Sequence, residues 1–190
     1  MPGRSPFRVL VSTVLSTRTQ DPVTAAASAR LFEQAPDPAS LARLTPRAIE
    51  KLIYPVGFYH TKAALLPGLA RALLERWHGQ VPSTLEELVS LPGVGRKVAN
   101  IVLSKGFGIP AVAVDTHVFR ISKRLGLVRT RTPEQTEQRL MKVLPERYWI
   151  EWNTLLVAHG QTMCRPQHPS CDCCQVRRWC RRTGVARTRR

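Results

Sequence analysis

Acidic residues are scarce in this chain: 13 Asp and Glu stand against 29 Lys and Arg, leaving a net charge of +16 over 190 residues and a pI of about 11.0. Such an imbalance implies a polyanionic partner, nucleic acid first. A genome biased toward arginine codons would explain arginine outnumbering lysine, but not the shortage of acids. Long apolar runs are missing too, so nothing here is expected to cross a bilayer. Sustained period-two alternation is absent, and β-branched runs such as Ala111 to Val114 are short, which argues against a sheet. Repeats and low-complexity linkers are lacking as well. The first residues mimic a secretion signal, but Ser12 and Thr13 break the apolar patch from Val9 to Leu15, and Arg18 and Gln20 precede any cleavage site. The expected setting is therefore cytoplasmic, at the bacterial nucleoid and away from membranes. There the cysteines should not be read as disulfides.

What the chain does contain is a helical core. Apolar residues make up 43% and charged residues 22%, which fits a folded protein of one domain or two small lobes. Four capping side chains stand before a proline, at Ser5-Pro6, Asp21-Pro22, Thr45-Pro46 and Thr132-Pro133, and each predicts a helix start. Phe7, Leu10, Val11, Val14 and Leu15 form one apolar face, and Ala25, Ala26, Ala29, Leu31 and Phe32 a second. Leu65, Leu69, Leu73 and Trp77 mark a helix that Pro67 and Gly68 should bend or delay. Leu140, Val143 and Leu144, then Trp149, Trp152, Leu155, Leu156 and His159, complete an all-α reading.

The most informative stretch runs from Leu91 to Phe119. Ser83, with Glu86 three residues on, predicts a capped short helix ending near Ser90. Pro92 and the two glycines of Leu91-Pro92-Gly93-Val94-Gly95 then force a sharp turn. A second helix begins near Arg96, with Val98, Ile101, Val102 and Lys105 at helical spacing. A helix N-terminus reached through such a turn offers N–H groups to phosphate. Lys97 lies in that helix's first turn, where the macrodipole opposes a cation and favours a neutral, nucleophilic amine. Asp115 leaves an apolar run ahead of Thr116 and His117, placed to cap the next helix or to face a reacting centre. Individually these are a solvated lysine and a capping aspartate; together, beside a phosphate-binding hairpin, they suggest chemistry.

The motifs LPGVGRK and VDTH resemble the helix-hairpin-helix DNA glycosylases, most closely the endonuclease III branch, and the similarity runs from Ser5 to Cys180. The resemblance implies an all-α helix-hairpin-helix fold. A six-helix barrel lobe, residues 1–109, would carry the hairpin at about 84–105. A cluster-bearing lobe with a basic tail would occupy residues 110–190, with the active site in the cleft between. It further implies that Lys97 attacks the anomeric sugar carbon of a damaged nucleotide, while Asp115 helps activate the lysine and stabilises charge developing on the sugar. Arg18, Phe58, Leu91, Gly93, Val94, Gly95, Arg96 and His117 are the expected DNA contacts. The family also has a segment ahead of the residues matching Ser5 that packs on the second lobe; this chain begins almost at Ser5.

Two positions depart from the family pattern. Arg18 stands where a glutamine commonly fills the gap left by an extruded base. Phe58 stands where a wedge, often leucine, enters the stack, although a phenylalanine could equally be core. The cysteines Cys164, Cys171, Cys174 and Cys180 form C-x6-C-x2-C-x5-C, and four thiolates in so short a stretch hold zinc or an iron–sulfur cluster. Only Cys171 and Cys174 have zinc-knuckle spacing, and the whole matches the family's [4Fe–4S] signature, with Cys173 a bystander. The cluster would staple a basic loop bearing Arg165, Arg177 and Arg178 against phosphates, and the tail from Arg181 to Arg190 would be mobile and add affinity.

The expected function is thus a monomeric bifunctional glycosylase and abasic-site lyase, acting on oxidised pyrimidines in double-stranded DNA with damaged bases or abasic sites. A noncatalytic binder of damaged DNA and a zinc-stapled structural module are the alternatives. The adenine-removing branch carries an N-terminal catalytic glutamate and lacks the lysine; here Val11 to Leu15 holds no acid and Lys97 is present.

Overall fold

The computed structural model describes residues 5–185, and among them every regular element is helical. The chain divides into two compact units, the first ending at Ile109 and the second beginning at Pro110. The first holds α1 (Pro6–Ser16), α2 (Asp21–Gln34), α3 (Pro38–Arg43), α4 (Pro46–Ile53), α5 (Tyr59–Trp77), α6 (Leu85–Val89) and α7 (Arg96–Val102). The second holds α8 (Thr116–Leu125), α9 (Pro133–Val143) and α10 (Trp149–Thr162). No helix among the described residues is long and apolar enough to cross a membrane.

In the first unit α5 is the packing centre: α3 and α4 lie on it, while α1 packs on α2 and α7. Leu10, Leu15, Leu31, Ile49, Leu66 and Leu73 are completely buried there. Pro67 neither delays nor stops α5, which runs through it for 19 residues. The missing N–H costs one ladder bond, and burial of Leu66, Pro67, Leu69 and Ala70 on the same face offsets it. α7 passes into a π-turn, Leu103–Phe107, closed by Gly108 at φ +69°. The Ile109 N–H then returns to the Leu103 carbonyl at 3.0 Å, so the helix ends at the unit boundary. In the second unit Val112, Val114, Val118, Ile121, Val128, Leu140 and Leu156 form one core, with α8 against α10.

Several helix starts and faces differ from the expected ones by about one residue. Asp21 is the first residue of α2, with Gln20 at the cap and no side-chain cap bond, and Ser5 likewise makes none. Thr45 and Thr132 do cap, accepting from the Ala48 and Gln135 N–H groups. Asp37, overlooked in the sequence, forms a full capping box with Ser40. α6 is capped by Thr84 with Glu87, not by Ser83 with Glu86. Glu87 also accepts from the Trp77 indole, and this second bond favours the later register. In α2 the buried face is Thr24, Ala27, Ser28 and Leu31, leaving Ala25, Ala26 and Ala29 exposed. Small alanines set no face, and Leu31 decides it. Val143 and Leu155 are exposed as well, because Leu140 and Leu156 already fill the second core.

Leu140 is the one buried apolar side chain of α9 among the described residues. Leu140→Ala should therefore cost about 2–5 kcal/mol, seen as a lowered thermal unfolding midpoint by circular dichroism.

Candidate active site and nucleic-acid interface

The hairpin forms as expected between α6 and α7. Gly93 sits at φ +72°, in the left-handed region, and a Cβ there would also run into the Leu65 side chain of α5. Gly95 is different: its φ is −89°, which any residue adopts, and a Cβ would meet open space. Nothing among the described residues demands glycine at 95. Gly95 is also the N-cap of α7, so no side chain caps that helix. Leu91 and Val94 are buried, and the Val94 N–H is spent on the Leu91 carbonyl at 3.2 Å, so their side chains anchor the turn from inside. Arg96 and Lys97 are half-buried in the first turn of α7.

In the second unit Asp115 is the N-cap of α8, its Oδ1 accepting from the Val118 N–H at 2.8 Å. Two residues on, His117 Nδ1 lies 3.2 Å from Arg120 Nη2, which also donates to the Cys164 carbonyl at 3.0 Å. Burial, reinforced by neighbouring Arg124, holds the Arg120 guanidinium below its ordinary pKa. α10 approaches this pair through Gly160, where any Cβ would strike the His117 ring and the Arg120 guanidinium. Lys97 thus belongs to the first unit and Asp115 and His117 to the second.

Cys164, Cys171, Cys174 and Cys180 are all half-buried and line one pocket with Ile121, Arg124, His159 and Met163. Burial pushes the Cys171 thiol up, and Cys164, Cys180 and Cys174 push it further. Cys171 thus lies within the electrostatic reach of the other three cysteines. No three side chains among the described residues are gathered tightly enough for a single metal ion. By number and kind of donor, four cysteines around one pocket suit a thiolate-bound centre. Cys173 lies outside it, exposed, with Sγ 3.8 Å from Met163 Sδ.

Arg124, missed in the sequence, holds this loop. It is 9% exposed and donates to Cys164 Sγ at 3.4 Å, to the Arg165 carbonyl at 2.7 Å and to the Pro166 carbonyl at 2.7 Å. The tail beyond Cys180 begins as an anchored segment, contrary to expectation: the Arg181 and Thr183 N–H groups donate to the Leu125 and Arg124 carbonyls, where α8 ends with unpaired acceptors. Arg187, Arg189 and Arg190 lie outside the described residues.

Arg18 and Phe58 meet in the first unit. The Arg18 guanidinium carbon lies 5.4 Å from the Phe58 ring centroid. Phe58 is 62% exposed, so it is not a core residue. Both residues have left-handed backbones, at φ 52° and 58°, a conformation that costs a side-chain-bearing residue about 1–2 kcal/mol. Lys62, not noticed in the sequence because a helical lysine is ordinarily solvated, is buried beneath them.

Residues 11–146 match the HhH-GPD superfamily of base excision DNA repair proteins. The chain belongs to that family. It is 51% identical to endonuclease III of Thermotoga maritima over 187 residues, spanning 97% of this chain and 88% of the relative. It is 40% identical to endonuclease III of Synechocystis over 178 residues, covering 93% of this chain and 81% of the relative. A solved structure of a trapped endonuclease III–DNA covalent intermediate superposes with a TM-score of 0.88 at 37% identity, over 96% of this chain and 86% of that one. The all-α helix-hairpin-helix fold is that of this family.

The two hairpin glycines should separate cleanly on substitution. Gly93→Ala is expected to lose about 1–2 kcal/mol, whereas Gly95→Ala should stay within about 0.5 kcal/mol of the parent. Chemical denaturation of both variants checks the pair.

Proposed function

We propose that the protein is a bifunctional DNA glycosylase and abasic-site lyase of base excision repair, removing oxidised or ring-saturated pyrimidines from duplex DNA. The observation that carries this reading is Lys97, half-buried in the first turn of α7 directly after the glycine hairpin, in a chain that belongs to a base excision repair family. The hairpin backbone would hold a phosphate, and the open space at Gly95 would admit it closely.

The Lys97 amine attacks the anomeric carbon of the flipped nucleotide, and the base leaves with the electron pair of the glycosidic bond. One amine proton passes to the departing base and the other to the ring oxygen as the sugar ring opens, leaving an imine between Lys97 and that carbon. Loss of a proton from the adjacent carbon then expels the 3′ phosphate by β-elimination, and water releases the lysine. Asp115 commits Oδ1 to capping α8, and its other carboxylate oxygen would face the positive charge that develops on the sugar. The cap fixes the carboxylate's orientation before substrate arrives, which lowers the reorganisation needed in the transition state.

Cys164, Cys171, Cys174 and Cys180 would hold a [4Fe–4S] cluster, whose contribution is to tie the C-terminal loop in place. That role leaves the cluster outside bond cleavage. It would present Arg165, Arg177 and Arg178, all exposed, to the DNA backbone.

Lys97→Ala should lower strand cleavage at an abasic duplex by roughly three orders of magnitude or more while leaving DNA affinity within about threefold. Retained cleavage would remove Lys97 as the nucleophile. The purified protein should be brown with a broad visible absorption that fades on oxidation; a colourless, zinc-containing protein would replace the cluster with a single metal. Gly95→Leu should weaken duplex binding without unfolding the chain, measured by fluorescence anisotropy.

A further inference from the structure

We infer that Lys62 is a positioning residue that locks Arg18 and Phe58 together as one probe of the DNA stack. The inference rests on the reading above that these two residues contact DNA. Lys62 lies one turn beyond Phe58 on α5, its N–H donating to the Phe58 carbonyl at 3.1 Å. The side chain is 6% exposed, and its ammonium donates to the Leu15 carbonyl at 2.8 Å, the Thr17 carbonyl at 2.6 Å and the Thr19 hydroxyl at 3.3 Å. An ammonium has three N–H bonds, and three acceptors surround it. Leu15 and Thr17 end α1, where backbone carbonyls lack helical partners and the last turn of α1 has no basic residue of its own. Lys62 therefore closes α1 from a different helix, and in doing so grips both sides of Arg18.

The second half of the lock is Thr19. Its hydroxyl donates to the Thr17 carbonyl at 3.2 Å and accepts from the Gly57 N–H at 3.1 Å. Gly57 packs so closely on Arg18 that an added Cβ would collide with the Arg18 carbonyl oxygen. The segments 17–19 and 56–58 are thereby joined through Lys62, Thr19 and Gly57, with an exposed side chain projecting from each. Neither Arg18 nor Phe58 would choose a left-handed backbone unaided. The buried contacts beneath them hold it, and the guanidinium over the ring is the outcome.

Burial pushes the Lys62 ammonium down to about 8, so the charged form carries a desolvation cost. A buried cation is retained at such a cost where its contacts are needed. The neutral amine would have only two N–H bonds for the three acceptors.

A double-mutant cycle tests the inference. Lys62→Met is compared with the parent in two backgrounds, one native and one carrying Arg18→Ala and Phe58→Ala. The readouts are kcat/KM for excision of thymine glycol from a duplex and cleavage of a single-stranded abasic oligonucleotide, which has no opposite strand to probe. The expected result is a loss of roughly tenfold on the duplex in the native background, about none in the Arg18→Ala/Phe58→Ala background, and unchanged single-strand cleavage. An equal loss in both backgrounds, or none in either, would overturn the inference. Thr19→Val, which removes the bridging hydroxyl and keeps the ammonium, should show the same background dependence even if Lys62→Met does not fold. If Arg18→Ala/Phe58→Ala alone leaves duplex excision intact, the assumed role of those two residues in DNA contact fails; if the parent cleaves neither substrate, the catalytic reading fails.

Discussion

An all-α chain carries its unpaired backbone groups at helix ends, and nearly everything of chemical interest in this protein sits there. Each helix leaves about four N–H groups at its start and four carbonyls at its end without helical partners. Asp115 supplies an oxygen to one such start, and Gly95 leaves another without a side-chain cap. Lys62 and the N–H groups of Arg181 and Thr183 supply donors to two helix ends. Several buried or half-buried polar residues answer these groups, so the same places collect side chains able to do chemistry. The fold and the site are two consequences of one constraint.

The division of labour in the hairpin follows from it. Gly93 is needed by the chain itself, through its positive φ and the Leu65 side chain that leaves no room for a Cβ; Gly95 is needed by nothing among the described residues. Two glycines two residues apart thus differ in kind: one is required by the fold, and the other leaves the space into which the proposed phosphate contact would fit. The same split separates Leu91 and Val94, which are buried and hold the turn, from Arg96 and Lys97, which are half-buried in the following helical turn.

Much of this was legible in the sequence, for reasons that can be stated. Glycine, proline and capping residues act locally, so the hairpin and the Asp115 cap could be read directly. The cysteine spacing is likewise a local signal. The helix faces of α2 and α10 slipped because alanine and leucine neighbours carry little phase, and burial is decided by what packs opposite. Lys62, Arg120 and Arg124 were invisible for a stronger reason. Each donates to groups far away in sequence: Lys62 to the end of α1, Arg120 and Arg124 to carbonyls of the cysteine loop. No spacing rule marks such a residue, and a basic chain offers many that look alike. The exposed partnership of Arg18 and Phe58 was hidden for the same reason, since their segments meet only through tertiary hydrogen bonds.

The central claim is that Lys97 forms a covalent imine with the sugar of a damaged nucleotide. Borohydride reduction of reactions with duplexes carrying thymine glycol or an abasic site, followed by peptide mapping, tests it most directly. The account predicts a stable protein–DNA adduct with both duplexes, attached at Lys97 and absent in Lys97→Ala. No adduct with either duplex under conditions of tight binding, or an adduct mapped to another amine, would contradict it.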